Sequence, residues 1–475
     1  MRKAKYLIII VAYFVVITLP KAGVSEPVDK LKLVWIAHDA SFSLAKVAKR
    51  YATLTGTEIE VIMLPYGSDW YSRIATEFSA GGGGFDLAVW DSQSLAEFAE
   101  GNHIEKLNSY VDNSSLLSFE DFDQNSLKRY SEYPVGSGDM WALPINQDAV
   151  GLIYRKDLFE SPKEGKNFEE RYGYPLAVPK TYQQLKDIAE FFTRPEQGLY
   201  GWGQFAGEDY DFNSSAANNF IWSFGGELWN SETNEIVGYL DSKASVDGLT
   251  RYLEMFNYTP DKERNWSYLE INEAFKRGKL AMAMQWYVLF DEVGNEKKSN
   301  LSEKTGFANL PGAIGRDGRF RQQVMLGGQG IGINSYSNNK QQAWEFLEWF
   351  MQKPQQLEYT KTAKTSLKSI LNEPDWLESY YKNQIFSQVV TNLNDYWYLP
   401  EYITLLEILQ QEITSSIRGR KSAKVALSMA ARRQELILTK AGYKITRTDN
   451  IPDVPDQIVE PVENTAVVSN RDGQK

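Results

Sequence analysis

The amino-acid pattern predicts an α/β protein of two lobes, with mixed, largely parallel sheets flanked by helices. Three observations lead there. The chain has 475 residues, more than one hydrophobic core usually organises, so two lobes are expected. Its first third alternates strand, helix, strand, helix, strand at the spacing of crossover units. At its centre Trp141–Glu160, WALPINQDAVGLIYRKDLFE, sets an acid between two apolar runs that end in a charged turn, the pattern of a buried strand leaving a site.

The elements follow in order. Leu31–His38 is an apolar strand, and Ser43–Thr53 a helix with Leu44, Val47, Ala48 and Tyr51 on one stripe. Glu58–Leu64 alternates as a second strand, and Asp69–Ala80 is a helix stopped by Gly81–Gly84. Phe85–Trp90 is a third strand, with a helix from about Leu95. Beyond the central strand, Thr181-x-x-Gln184 has the capping-box form and opens a helix. Gly198–Gly207 is a Gly- and aromatic-rich loop around Trp202, and a helical piece from about Ser215 stops at Gly225–Gly226. Helices are expected at Ser245–Phe256 and Tyr268–Arg277, then a buried strand Lys279–Gln285 with Trp286 and Tyr287 at its end. Val324–Asn334 reads as extended, Asn339-x-x-Gln342 as a helix cap, and Pro354 as the break after the helical face that carries Trp344 and Trp349. Residues 355–440 read as mostly helical, ending in the helix Ser422–Thr439, and Thr446–Lys475 as weakly packed.

Composition removes several classes of function. The formal charge is -11, and -15 once the basic residues of 1–21 are set aside, which disfavours general binding to a phosphate backbone. Met1–Lys5 is basic, Tyr6–Leu19 apolar, and small residues follow at Ala22–Ser25. This is the form of an export signal cleaved within Ala22–Pro27, an uncleaved anchor being the alternative. No cysteine occurs, which excludes disulfides, thiolate metal sites and a lipidated N-terminal cysteine. An exported chain of this kind is expected in a periplasm. Two histidines, His38 and His103, are too few for a His-rich metal site, and no phosphate loop or nucleophile elbow is present, so no cofactor is expected.

In parallel sheets ligands sit beyond the C-terminal strand ends, which selects His38, Asp39, Trp90 and Asp91. Asp148 is a candidate recognition carboxylate, with an ordinary strand-end Asp as its alternative. Gly327–Gly330, GGQG, with Gln329, either brings backbone close to a ligand or makes a tight turn. Aromatics are the positive signal: many of the 13 Trp and 27 Tyr stand in Gly-rich loops or at strand ends. Rings beside carboxylates and amides suit a sugar, whose C–H face they cover while the polar groups take its hydroxyls. Asp39, Asp91 and Asp148 also leave hydrolysis by paired acids open.

These segments taken together resemble a known family. FDLAVW (Phe85–Trp90), WALPINQDAVGLIYRKDLF (Trp141–Phe159), PKTYQQLKDIA (Pro179–Ala189), GGELWN (Gly225–Asn230), AFKRGKLAM (Ala274–Met282), LPG (Leu310–Gly312), GIGINSYSNNKQQAWEFLEWF (Gly330–Phe350) and IRGRKSAKVALSMA (Ile417–Ala430) occur in this order. The pattern, over about 30–440, is similar to that of bacterial extracellular solute-binding proteins of sugar ABC transporters, the maltose-binding-like cluster. The resemblance implies a two-lobed periplasmic-binding-protein fold with a ligand cleft between the lobes. With the export signal taken as 1–25, it implies a first lobe of 30–147 and 306–359, and a second of 148–305 and 360–440. It makes Asp148 an acceptor for ligand hydroxyls and Trp90 a cleft-facing ring. Trp286 or Tyr287 would be the stacking aromatic, Asn213–Ser215 a contact loop, and Tyr396–Tyr402, with Trp397 and Tyr402, the source of a further ring. No catalysis is implied. The partners implied are a carbohydrate ligand and the membrane permease of an ABC transporter; no nucleic acid partner is implied, and a monomer is expected. A ligand-sensing protein of the same fold acting on a membrane receptor, a secreted glycoside hydrolase, or a polyol in place of a sugar are the alternatives.

Overall fold

A computed structural model describes residues 28–447 apart from 66–67, 261–263, 380 and 390–391. The expected export signal lies outside these residues, as does the expected tail beyond its first two positions.

Three strands open the first lobe: β1 Lys30–Ile36, β2 Glu58–Leu64 and β3 Leu87–Asp91. β1 pairs in parallel with both others, because each connection carries a helix, Asp39–Thr55 and Ser68–Ser79. The first helix starts earlier than its apolar stripe. His38 caps it, Nδ1 accepting from the N–H groups of Ala40 at 3.1 Å and Ser41 at 3.2 Å. This buries the imidazole and pushes its pKa down to about 4, chiefly by desolvation.

The central strand is far longer than its apolar core. β4 runs Leu143–Arg155. Beyond it lie β5 Met282–Trp286, β6 Thr305–Asn309, a hairpin of β7 Ala313–Ile314 and β8 Phe320–Arg321, β9 Val324–Ile333 and β10 Leu393–Asn394. The main sheet has the order β2-β1-β3-β9-β4-β5, with β6 on β4 and β10 on β9. β9 is antiparallel to both β3 and β4. Both long strands run through two apolar cores. In one, Leu33, Leu44, Ile74, Leu143, Ile333 and Phe350 pack together. In the other, Leu152, Phe192, Phe220, Phe275, Met284 and Leu409 do. β4 changes core between Ile145 and Ala149, and β9 between Leu326 and Ile331. The fold is therefore a two-lobed α/β architecture with mixed sheets.

Some local expectations change. Phe307–Leu326 pack in the second core and Ala363–Trp376 in the first, unlike the division drawn from sequence, because β9 carries the chain across without a loop to mark the crossing. Gly327–Gly330 make no turn and lie inside β9. Asn339 stands at its helix start without capping it; its amide donates instead to Asp86 Oδ1 at 3.0 Å. The capping box at Thr181 and Gln184 does form.

Candidate functional site

The cleft is built where the two long strands change lobes. β3 ends in Trp90 and Asp91, β4 contributes Asp148, β9 contributes Gly327–Gln329, and β5 ends in Trp286. The segment before the helix Phe212–Ser223 adds Tyr210 and Asp211. Asp91, Gln93, Asp148, Tyr210, Asp211, Tyr268, Trp286 and Gln329 line a cavity of about 40 Å³. Asp91 and Tyr210 also border a larger one of about 300 Å³, walled by Trp70, Tyr71, Trp90, Tyr402, Glu407 and Gln410.

Polar groups in the small cavity are held by one another. Tyr210 OH donates to Asp91 Oδ2, and Gln329 Nε2 donates to Asp91 Oδ1 at 3.0 Å. Asn146 Nδ2 in turn donates to Gln329 Oε1 at 3.3 Å. Tyr268 OH donates to Asp211 Oδ1 at 2.5 Å. Asp148 Oδ1 accepts from the N–H groups of Ala149 at 2.9 Å and Val288 at 3.1 Å. Burial pushes Asp91 up to about 6 and Asp148 and Asp211 up to about 7, and these hydrogen bonds only partly offset it. The carboxylates are oriented acceptors in a poorly hydrated place, where a donated hydroxyl is worth most.

The ring of Trp286 forms part of the wall. It meets Tyr268 edge-on, centroids 5.9 Å apart at 86°, and lies parallel to Phe205 at 6.4 Å. A Cβ on Gly327 would stand 2.4 Å from Trp286 Cζ3, so the glycine is what lets β9 pass so near the ring. Tyr287 turns the other way, as successive strand-end residues do. Its hydroxyl donates to Asn309 Oδ1, and a Cβ on Gly151 would stand 2.7 Å from its ring. Trp286 is thus the cleft aromatic and Tyr287 a core one.

Of the other residues selected from sequence, Trp90 and Tyr402 border the larger cavity, and Asp91, Asp148 and Gln329 the smaller. Asp39 borders neither and pairs with Lys298 at 3.3 Å. Trp202, Asn213 and Trp397 are fully buried in the second lobe. Trp202 Nε1 donates to Gln204 Oε1 at 2.8 Å, Asn213 Nδ2 donates to Thr414 Oγ1 at 2.9 Å, and Trp397 stacks on Tyr396. Each of these three is a packing residue whose loop or helix end resembles a site in composition alone. Sequence reasoning missed Gln93, Tyr210, Asp211 and Tyr268. Tyr268 is the first residue of the helix Tyr268–Lys276. The acid–aromatic run Glu208–Phe212 was a usable signal for Tyr210, whose φ of +57° is rare for a side chain of that size. Among the described residues, no group of three His, Asp or Glu is placed to hold a metal ion.

Comparison with known proteins agrees with the two-lobed fold. The maltotriose-binding protein of Pyrococcus abyssi is 24% identical over 300 residues, covering 62% of this chain and 57% of that protein. The chain therefore spans little more than half the length of that relative. The erythritol/L-threitol-binding protein of Mycolicibacterium smegmatis is 21% identical over 334 residues, 67% of this chain and 66% of that protein. In fold the chain is similar to an ABC transporter solute-binding protein from Agrobacterium radiobacter K84 in complex with ribitol, with TM-score 0.73 and 22% identity over 86% of this chain and 98% of that one. It is similar also to maltose-bound T. maritima MalE3, with TM-score 0.74 and 22% identity over 86% of this chain and 100% of that one. The profile described as bacterial extracellular solute-binding protein matches residues 40–357, and the chain belongs to that family.

Proposed function

We propose that the protein binds a sugar or polyol in the cleft between its lobes, outside the cytoplasmic membrane, and delivers it to the permease of an ABC transporter without catalysis. One observation carries the reading. Acceptors from strands β3, β4 and β9 and from the segment before the helix Phe212–Ser223, namely Asp91, Asp148, Gln329 and Asp211, face a cavity walled by the ring of Trp286, and this cavity shares Asp91 and Tyr210 with the larger one. A ligand rich in hydroxyls with an apolar C–H face satisfies both kinds of surface at once. It touches both lobes only when they are together, and so shifts an open–closed equilibrium toward closure. Relatives whose names give maltotriose, erythritol and mannitol as ligands support the ligand class.

The test is a thermal-shift and calorimetric screen of the protein from Pro27 onward against polyols and mono-, di- and trisaccharides, with products analysed afterwards. The expected outcome is a saturable rise in melting temperature with the ligand recovered intact. Recovery of cleaved ligand would replace this reading with hydrolysis, and no response to any polyhydroxyl compound would remove the sugar. For the ligand so found, D148A is expected to leave hydroxyls unpaired and cost about 2 kcal/mol, about thirtyfold in affinity.

A further inference from the structure

The lobes also meet through direct protein–protein hydrogen bonds, and one carboxylate gathers several of them. Asp395 follows β10, which pairs with the second-lobe end of β9, and its neighbours Tyr396 and Trp397 lie in the second core. From the first lobe, Ser92 Oγ donates to its Oδ2 at 2.7 Å and Gln93 Nε2 to its Oδ1 at 2.6 Å. Both donors belong to the short turn directly after Asp91. From its own side, Tyr398 OH donates to Oδ2 at 2.7 Å and the Tyr396 N–H to Oδ1 at 2.8 Å. Arg129, on the first-lobe helix Gln124–Tyr130, adds a bond from Nη2 to the Leu393 carbonyl at 2.9 Å. A half-buried charged acceptor with four short bonds makes the stronger kind of hydrogen bond. The Asp39–Lys298 pair also joins the lobes, but its side chains are 21% and 34% exposed, and water screens such pairs to little net value.

We propose that Asp395 is a closure clasp, a positioning residue that holds Ser92–Gln93, and with them Asp91, against the second lobe and so sets how much of the protein is closed. The proposal rests on reading the protein as one that closes over its ligand. Asp395 borders neither cavity described above but lines a third, of about 640 Å³, with Arg129, Trp229 and Tyr398, so its effect on closure is read with no ligand present. Opening the lobes takes Ser92 and Gln93 away from it. Only contacts that differ between the two states shift the equilibrium between them, and these two do.

The absence of cysteine makes the test clean. Leu54→Cys and Leu436→Cys fall on the helices Asp39–Thr55 and Ala423–Lys440 of opposite lobes, at positions 69% and 53% exposed. Spin labels there report the inter-lobe distance in the full-length protein, refolded to strip any bound solute and measured with no ligand added. D395A is expected to lower the closed-to-open ratio at least about fivefold, from the loss of charge-assisted bonds. S92A is expected to shift it in the same direction, and the double variant to be no more open than D395A alone. Should D395A fail to fold, S92A carries the test from the other lobe. The same distance distribution in the unaltered protein and S92A, or in all variants, would overturn the clasp. Because no ligand enters the measurement, that failure is separate from failure of the sugar reading, which the ligand screen decides.

Discussion

Three carboxylates facing one small cavity hold protons at pH values where exposed acids have lost theirs. Asp91 is raised to about 6 and Asp148 and Asp211 to about 7, against about 4 in an unfolded chain. Between those limits the native state binds more protons, so their contribution to stability falls as pH rises from about 4 to about 7 and is level beyond. A ligand hydroxyl that donates to a carboxylate favours the charged form and lowers its pKa in the complex. Binding is therefore expected to release protons and to tighten from about pH 5 to about pH 8, with fewer protons released by D148N. Calorimetry in buffers of different ionisation heat measures this, and a binding heat independent of buffer across that range would contradict it. At this scale Asp91, Asp148 and Trp286 were legible because each stands where an apolar strand meets a change in polarity. Trp202, Asn213 and Trp397 misled because composition around a ring or amide is alike whether it faces a core or a cleft. Tyr210 and Tyr268 reach the site only through the path of the loop and helix start that carry them.

The strands show why so many glycines gather in β9. Gly327 lies opposite Asp148 in the β4–β9 pairing, and its backbone has no positive φ that would exclude a side chain. What excludes one is the ring of Trp286 close above it. G327A is expected to displace that ring and weaken ligand binding more than tenfold, at a stability cost of about 1–3 kcal/mol from overpacking. Gly328 is different: its φ is +106° and a Cβ would stand 2.2 Å from the Asn146 carbonyl, so G328A is expected to be the less stable of the two. Urea unfolding with ligand titration of both variants separates these effects, and equal losses of stability would count against the ring account. β2 and the helix at Thr181 were readable from local pattern alone. In β4 Asn146, Gln147 and Asp148 interrupt the apolar run, yet all three are buried and lie where the strand crosses between the lobes, so the strand continues through them.

Across the whole molecule, β4 and β9 belong to both cores, and their ladder is continuous apart from one irregularity between Pro144 and Asn146. Neither lobe can lose its sheet without exposing backbone groups of the other. The protein is expected to unfold in one calorimetric transition despite its two cores, and ligand is expected to raise that transition as a whole. Two separable transitions would show that the shared strands do not couple the lobes.

Periodicity, caps and turn residues acted over a few residues, so they sufficed for the α/β class and the opening parallel strands, while chain length and the resemblance to the family supplied the two-lobed plan. The site was different. Which lobe owns residues 306–326, which of Trp286 and Tyr287 faces the cleft, and that Asp91, Asp148, Asp211 and Gln329 share one cavity were decided only by packing. These are contacts between separate segments of the chain, and no local pattern encodes the face a side chain presents until the strands on either side of it are in place.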